Sequence, residues 1–520
     1  MKKSYPLEKL TKNLVPFNAH QVTSTVIWSA KDIDDITVLH KACSYIVGDD
    51  GNASNKLFYA ERYGGDGIQR NGGGARCGFD GYYQIKGMGA NPLVGEGTDG
   101  HHSNGSLGAT HGVYEALWGE VLAQILPYSA VRARAVLLTN IYTGKAFDRS
   151  HGKSLRALLI REPVVRPAHF ERAPYFRPQP EYAAQLIHDA QRVRSVIRML
   201  PVNLPVPPEG FSEDAQRSLP LYCIEGLCEL AHREAWQMAF CRTRFLRLTT
   251  SPSNIAMDGR LMDFNGLSCL FPGDYPDNFG HKCRLSELMK EPVILQQGLS
   301  DLCLYLGKYL FDPEFTQVAC EKVEMTFQKT FHEACYYGYL EQLGIPIKFL
   351  SPAGIPDTLK QMVNKFVGLI NKRSGLLYCP EPDGIDGSPL QRLVVKLIRR
   401  SQKQIHPDDN DAEHDIYFKE TSHSFSLGIK WMMQTHIRGA IDTSSIVKEM
   451  EQHAWKRFQP RTSLGKAYMF EEITTLLDKY GDNNRFLQEA FSDMETRMQI
   501  FSREAFGHLN PSDLHCNVKG

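Results

Sequence analysis

Asn254 and Asp263 stand at the two ends of Asn254-Ile-Ala-Met-Asp-Gly-Arg-Leu-Met-Asp263, and Phe-Asn-Gly follows. The pattern reads as a turn carrying the Asn, a short hairpin, and an Asp at the strand end. Both side chains offer oxygen, the ligand type of a hard cation such as Mg²⁺ bridging phosphates. The N-terminal third holds residues that complement such a site, in order. Gly64-Gly-Asp-Gly-Ile-Gln-Arg-Asn-Gly72-Gly-Gly-Ala-Arg76 is rich in glycine, whose backbone N–H groups can approach phosphates without a side-chain clash. It lacks the Gly-Lys-Ser/Thr ending of a Walker A loop. Lys86 lies in Gln84-Ile-Lys-Gly-Met-Gly, and Glu115 and Glu120 lie on the next helical stretch. A strand Lys held by a helix Glu fixes an ammonium where phosphate oxygens can meet it. Arg161 closes Ala157-Leu-Leu-Ile-Arg, and Arg166 lies in Val164-Val-Arg-Pro-Ala-His-Phe-Glu171. A guanidinium at a strand end presents a fork of donors to a phosphate. Each feature alone has a plainer reading: a flexible surface loop, a surface charge on a helix for Glu115, a structural ion pair for Arg161. The ordered set is what points to a nucleotide site.

These residues need elements to hold them. Residues 82–87 read as a strand bounded by glycine, and 130–139 and 157–160 as two more. Residues 112–126 read as an amphipathic helix with Val113, Leu117, Val121 and Leu122 on one face. Helical pieces are expected around 33–46. Arg177-Pro-Gln-Pro and the prolines of 201–208 punctuate the chain, and beyond them it is mainly helical, with long patterns at 286–311, 314–343, 444–458 and 466–506. The expected fold class is α+β, with a small N-terminal α+β lobe over 1–170. A large, mainly helical C-terminal lobe follows over 171–520, carrying the Asn254/Asp263 segment and a helical extension. The acidic stretch 406–415 lacks the glycine and full ligand pattern of an EF-hand and reads as a solvated loop.

Composition sets the outer bounds. A chain of 520 residues is too long for one simple core, and 42% hydrophobic with 23% charged residues is the balance of a soluble globular protein. Lys+Arg and Asp+Glu both number 59, which argues against nucleic-acid binding by bulk positive charge. No apolar run approaches the roughly 18 residues of a membrane span, so no membrane partner is expected. The N-terminal stretch has basic residues but no apolar export core. The 12 cysteines are scattered without a Cys-x-x-Cys pair and read as reduced thiols, with Cys77 beside Arg76 the one to watch. A cytoplasmic address is the expectation.

Taken together, Gly73-Gly-Ala-Arg76, Ile85-Lys-Gly-Met-Gly89, Val113-Tyr-Glu115, Leu159-Ile-Arg161 leading to His169-Phe-Glu171, and Asn254…Asp263-Phe-Asn resemble a known pattern. It is that of the selenoprotein-O-like protein adenylyltransferases, pseudokinases that transfer AMP. The resemblance covers roughly residues 56–310. It implies a protein-kinase-like two-lobed fold in which ATP is bound in reverse, with its α-phosphate toward the acceptor and pyrophosphate as leaving group. By the same resemblance Lys86 and Glu115 with Asp263 are catalytic, Gly73, Gly74, Arg76, Lys86 and Arg161 bind the nucleotide, and Asn254 and Asp263 hold Mg²⁺. The sequence departs from the pattern at Ser253, where the family has the Asp that serves as candidate base. It departs again at Gly97-Thr-Asp-Gly-His101-His-Ser, where His101, His102 and nearby His111 are new. A carboxylate acceptor needs no base. Divergent members of the family resemble the maturation proteins of siderophore-bearing microcins, which points to a peptide C-terminal carboxylate as acceptor and to a small acyltransferase-like partner. An ordinary phosphotransferase and a non-catalytic nucleotide-binding scaffold are the alternatives.

Overall fold

A computed structural model describes residues 6–48, 54–65, 67–143, 154–270, 278–345, 354–372, 387–405, 416–436, 443–481 and 483–509. The acidic stretch 406–415 lies outside them. The N-terminal part builds one sheet from β1 (Leu14–Gln21), β2 (Ser24–Ser29), β3 (Tyr45–Ile46), β4 (Asn55–Glu61), β5 (Cys77–Phe79), β6 (Gln84–Lys86), β7 (Ala133–Tyr142) and β8 (Leu155–Arg161). Its order is β2-β7-β8-β6-β5-β4-β1-β3, and every pairing is antiparallel. Into it are inserted α1 (Ile36–Cys43), α2 (Gly100–Ser103) and α3 (Ala109–Ile125). The Asp35 carboxylate caps α1 by accepting from the N–H groups of Thr37 and Val38 at 2.9 and 3.1 Å.

Strand alternation gives the sheet two apolar faces. Ala135, Leu137, Leu158 and Ile160 pack with Ile85 and with Leu39 and Cys43 of α1. Val136, Leu138, Ala157 and Leu159 face the opposite way, onto Val113, Leu117 and Val121 of α3. That second core continues through the helices to Leu509.

The remainder is helical: α4 (Ala183–Leu186), α5 (Asp189–Val196), α6 (Glu213–Arg217), α7 (Leu219–Thr243), α8 (Asn278–Tyr309), α9 (Pro313–Gln342), α10 (Asp357–Lys372), α11 (Pro389–Ile405), α12 (Ile416–His436), α13 (Thr443–Arg457), α14 (Lys466–Tyr480) and α15 (Asn484–Phe506). A two-stranded ribbon, β9 (Leu246–Arg247) with β10 (Ser268–Cys269), flanks the Asn254/Asp263 segment.

The fold class is thus α+β. Two expectations are corrected. The helix expected over 112–126 is not amphipathic: Tyr114, Ala116, Leu117, Trp118 and Leu122 are all fully buried, so α3 is covered on every side. The helical pattern expected over 466–506 is two helices, broken after Tyr480. Asn483 restarts the chain by accepting from the Phe486 N–H at 3.4 Å. The first residues hold two strands of the sheet, β1 of 8 residues and β2 of 6. Among the described residues no helix is long and apolar enough to cross a membrane, and the described cysteines are free thiols.

Candidate functional site

The expected hairpin is present. Ile255 pairs with Leu261, the Met262 N–H donates to the Asn254 carbonyl at 2.9 Å, and Gly259, at φ +89°, makes the reversal. This pairing sets Asn254 beside Asp263. Asp263 itself is in the left-handed region, at φ 64° and ψ 75°, which costs a non-glycine residue about 1–2 kcal/mol. Its carboxylate reaches the sheet.

There it meets Lys86. The Lys86 ammonium donates to Asp263 Oδ1 at 2.9 Å and to Glu115 Oε2 at 2.6 Å. Lys86 is 1% exposed and Glu115 4%, so this pair is formed away from bulk water, where each charge depends on the other. β6 supplies the lysine, α3 the glutamate and the hairpin the aspartate. Arg161 lies two positions along the register, opposite Gln84. Its guanidinium donates to Glu115 Oε1 at 3.2 Å and to the Gln84 side chain. Arg161 is therefore committed to carboxylate and amide partners. Glu120 is directed elsewhere, to Arg132 at 2.8 Å.

Arg76 differs. It is half-buried, and its side chain has no hydrogen-bond or ion-pair partner among the described residues, yet its charge acts on Asp263. Burial alone would raise the Asp263 pKa. The charges of Lys86, Arg76 and Arg161, with the Lys86 hydrogen bond, outweigh it and hold this carboxyl well below the usual range. Three cations thus face two carboxylates, which leaves one positive charge in excess, a field that favours an anion.

The glycine-rich run is not a loose loop. Gly73 sits at φ +139°, and a Cβ there would lie 2.2 Å from the Glu61 carbonyl oxygen; at Gly64 it would lie 2.0 Å from that of Arg172. The glycines permit backbone-on-backbone packing. The Gly74 N–H is already donated to Glu61 at 2.9 Å. In this arrangement the Gly74 N–H is committed to the main chain. Gly67, at φ +101°, instead brings the run onto Ser251 and Ser253, whose hydroxyls are each 2.9 Å from where its Cβ would be. Position 253 carries only a hydroxyl, 2.9 Å from the Ser251 hydroxyl.

Arg166 is fully enclosed rather than presented to a ligand. It donates to the Ser253 carbonyl at 2.9 Å and to the Tyr63 hydroxyl at 3.2 Å, and so ties the hairpin to the sheet. His169 accepts the Arg166 N–H at Nδ1, which places any ring proton on Nε2, 3.3 Å from Glu61. Burial pushes the His169 pKa down, keeping the imidazole neutral. His101 and His102 lie in α2, a single short turn, and His111 packs edge-on against Phe470 at 4.8 Å. Cys77 is buried, opposite Lys86 in the β5–β6 register.

Among the described residues no group of three or more His, Cys, Asp and Glu is placed to hold a metal ion. The oxygens present suit one that also binds phosphate. Asn254 directs its Nδ2 to the Thr249 carbonyl at 3.1 Å, leaving Oδ1 as its ligating atom. Asn265 Oδ1 is buried without a hydrogen-bond partner among the described residues. These are hard ligands, fewer than a complete Mg²⁺ shell requires, so that phosphate and water oxygens would fill the rest.

Asn265 and Gln84 were not singled out by sequence reading, since an amide side chain carries no charge signal. A separate cleft of about 330 Å³, lined by Gln69, Arg70, Gly97, Thr98, Asp99 and Tyr175, flanks the glycine-rich run. None of its lining residues belongs to the Lys86 cluster. Compared with known families and curated proteins, the chain matches no family model and no curated protein.

Proposed function

We propose that this protein is an ATP- and Mg²⁺-dependent adenylyltransferase with a protein-kinase-like two-lobed fold, acting on a protein or peptide. The observation that carries the reading is Lys86, held by Glu115 and in contact with Asp263, with the uncommitted Arg76 beside them. The ordered resemblance to the selenoprotein-O-like family supports the same assignment. Lys86 and Arg76 would take phosphate oxygens as negative charge redistributes, while Asn254 and Asp263 would hold Mg²⁺. A bound Mg²⁺ would supply charge neutralisation on the phosphates. Preorganised charge of this kind lowers a phosphoryl-transfer barrier without covalent participation by the protein.

Ser253 bears on the acceptor. A hydroxyl acceptor must lose a proton, and position 253 carries no carboxylate to take it. A carboxylate acceptor is already an anion. Its oxygen would attack the α-phosphorus, the bond from that phosphorus to the β-phosphate bridging oxygen would break, and pyrophosphate would leave with the electron pair. The product is an acyl adenylate, and no proton moves. The favoured acceptor is therefore a peptide carboxylate, such as the C-terminus of a microcin-type precursor, with a small acyltransferase-like partner to consume the product.

A second reading has an observation of its own. Arg161, one of the two arginines that reversed ATP would use, is committed to Glu115 and Gln84. That commitment favours γ-phosphoryl transfer from a nucleotide bound the usual way. The test is mass spectrometry of acceptors after incubation with ATP, Mg²⁺ and a lysate of the source. An AMP adduct that hydroxylamine removes is the expected product. A phosphate adduct in its place would overturn the proposal.

A further inference from the structure

Glu115 is held from a second direction, by the far end of the chain. The Asn265 side-chain amide donates to Glu115 Oε2, the same oxygen that receives Lys86. The main-chain carbonyl of Asn265 in turn accepts from Lys466 Nζ at 2.5 Å. Lys466 is the first residue of α14, where the positive end of the helix dipole disfavours a cation, and the first turn contains no acidic residue to offset it. The ammonium is also drawn under cover, over the rings of Phe470 at 5.0 Å and Tyr114 at 5.8 Å. A local rule is broken here in favour of one contact, the Asn265 carbonyl.

The two C-terminal helices reinforce that contact. Along α14, Phe470 packs edge-on against Tyr114 at 5.1 Å, and the hydroxyls of Thr474 and Thr110 are 3.2 Å apart. Met469 and Ile473 are fully buried. From α15, Glu495 accepts from the Trp28 indole at 3.0 Å, Gln488 donates to the Val26 carbonyl at 2.7 Å, and Arg503 donates to Gln124 at 2.7 Å. Thus α15 fastens α3 to the edge strand β2, while α14 fastens it to the Asp263 segment. The near-complete burial of α3 follows from this, since it has the sheet on one side and these helices on the other.

We propose that α14 and α15 are a built-in clamp on the Lys86–Glu115 pair, and that Lys466 is its positioning residue, acting through Asn265. The relay Lys466, Asn265, Glu115, Lys86 holds the ammonium still; without it Glu115 loses the amide that fixes its rotamer and Lys86 becomes reachable. The catalytic meaning of the clamp rests on the functional reading above, but its existence does not.

The test is the rate at which a small amine-reactive reagent, trinitrobenzenesulfonate, modifies Lys86 in the full-length protein, read residue by residue by mass spectrometry. Losing a charged hydrogen bond from the relay should raise the Lys86 rate at least about tenfold in Lys466→Met. Lys365, exposed and remote, should react as in the wild type, and Lys466→Arg should restore the slow Lys86 rate. Should Lys466→Met not fold, Asn265→Ala leaves the helix packing intact and carries the same expectation. An unchanged Lys86 rate in a folded variant would overturn the clamp. AMP transfer measured on the same variants tells the two ideas apart. Altered labelling with a wild type that transfers nothing would keep the clamp and refute the adenylyltransferase.

Discussion

The Lys86 ammonium lies 2.6 Å from Glu115, a contact that joins β6 to α3 across residues 29 apart in the chain. The same ammonium reaches Asp263, 177 residues away, at 2.9 Å. One buried cation thus fixes the relative positions of strand, helix and hairpin, the three elements that a nucleotide phosphate would have to meet together.

If that cation stabilises transferring phosphate, Lys86→Ala and Asp263→Ala should each cut turnover by at least about 100-fold. Steady-state rates of the purified variants check this, with melting curves to confirm the fold. Near-normal turnover in either would refute the site assignment.

The two glycines expected to cradle phosphate should part company. At Gly73 a Cβ would lie 2.2 Å from a backbone oxygen at φ +139°, whereas at Gly74 the nearest atom is 3.5 Å away. Gly73→Ala should destabilise by more than about 1–3 kcal/mol and Gly74→Ala by much less. Denaturant unfolding measures the difference, and equal effects would contradict the packing described.

Acid should weaken the helical part through Glu341. Burial would raise its pKa, but the His453 hydrogen bond and the charges of Arg244 and Arg457 bring it from 4.5 down to about 2. A carboxyl with a lowered folded pKa contributes stability that is present above about 4.5 and is lost as pH falls toward 2. Unfolding free energies between pH 6 and 2 should therefore fall less steeply in Glu341→Gln than in the wild type, by on the order of 3 kcal/mol across the window. Parallel curves would show that Glu341 is not the group responsible.

Ser253→Ala should leave turnover close to that of the wild type. Its hydroxyl is hydrogen-bonded to Ser251, and an anionic acceptor asks nothing of it. A collapse of activity with nucleotide affinity preserved would make Ser253 a participant and bring a hydroxyl acceptor back into consideration.

What the sequence disclosed follows from how local each signal is. The Asn254–Asp263 hairpin was legible because its turn, glycine and flanking apolar residues are contiguous. The Lys86 strand was legible from alternation between glycines. The strands Leu14–Gln21 and Ser24–Ser29 were missed: the first alternates buried and exposed positions but carries Pro16 and Asn18, poor strand formers, and the second shows no clean alternation. The break between α14 and α15 was signalled locally, since Tyr480 and Phe486 are separated by Gly-Asp-Asn-Asn-Arg with no apolar residue, but the helical spacing on either side was read as one pattern. Lys466 gave no sign at all: its partner Asn265 is 201 residues away, and a lysine on a helix reads as solvent-facing until the fold draws it half under cover. Arg161 and Gly74 were placed correctly in their elements, but their donors are committed to Glu115, Gln84 and Glu61, which only tertiary contacts reveal.

The most direct measurement supplies ATP labelled at the α-phosphate in one reaction and at the γ-phosphate in another, each with Mg²⁺, the purified protein and a lysate of its source. The account predicts label transferred from the α-phosphate alone, with pyrophosphate released. Label transferred from the γ-phosphate alone would make the protein a phosphotransferase and contradict it.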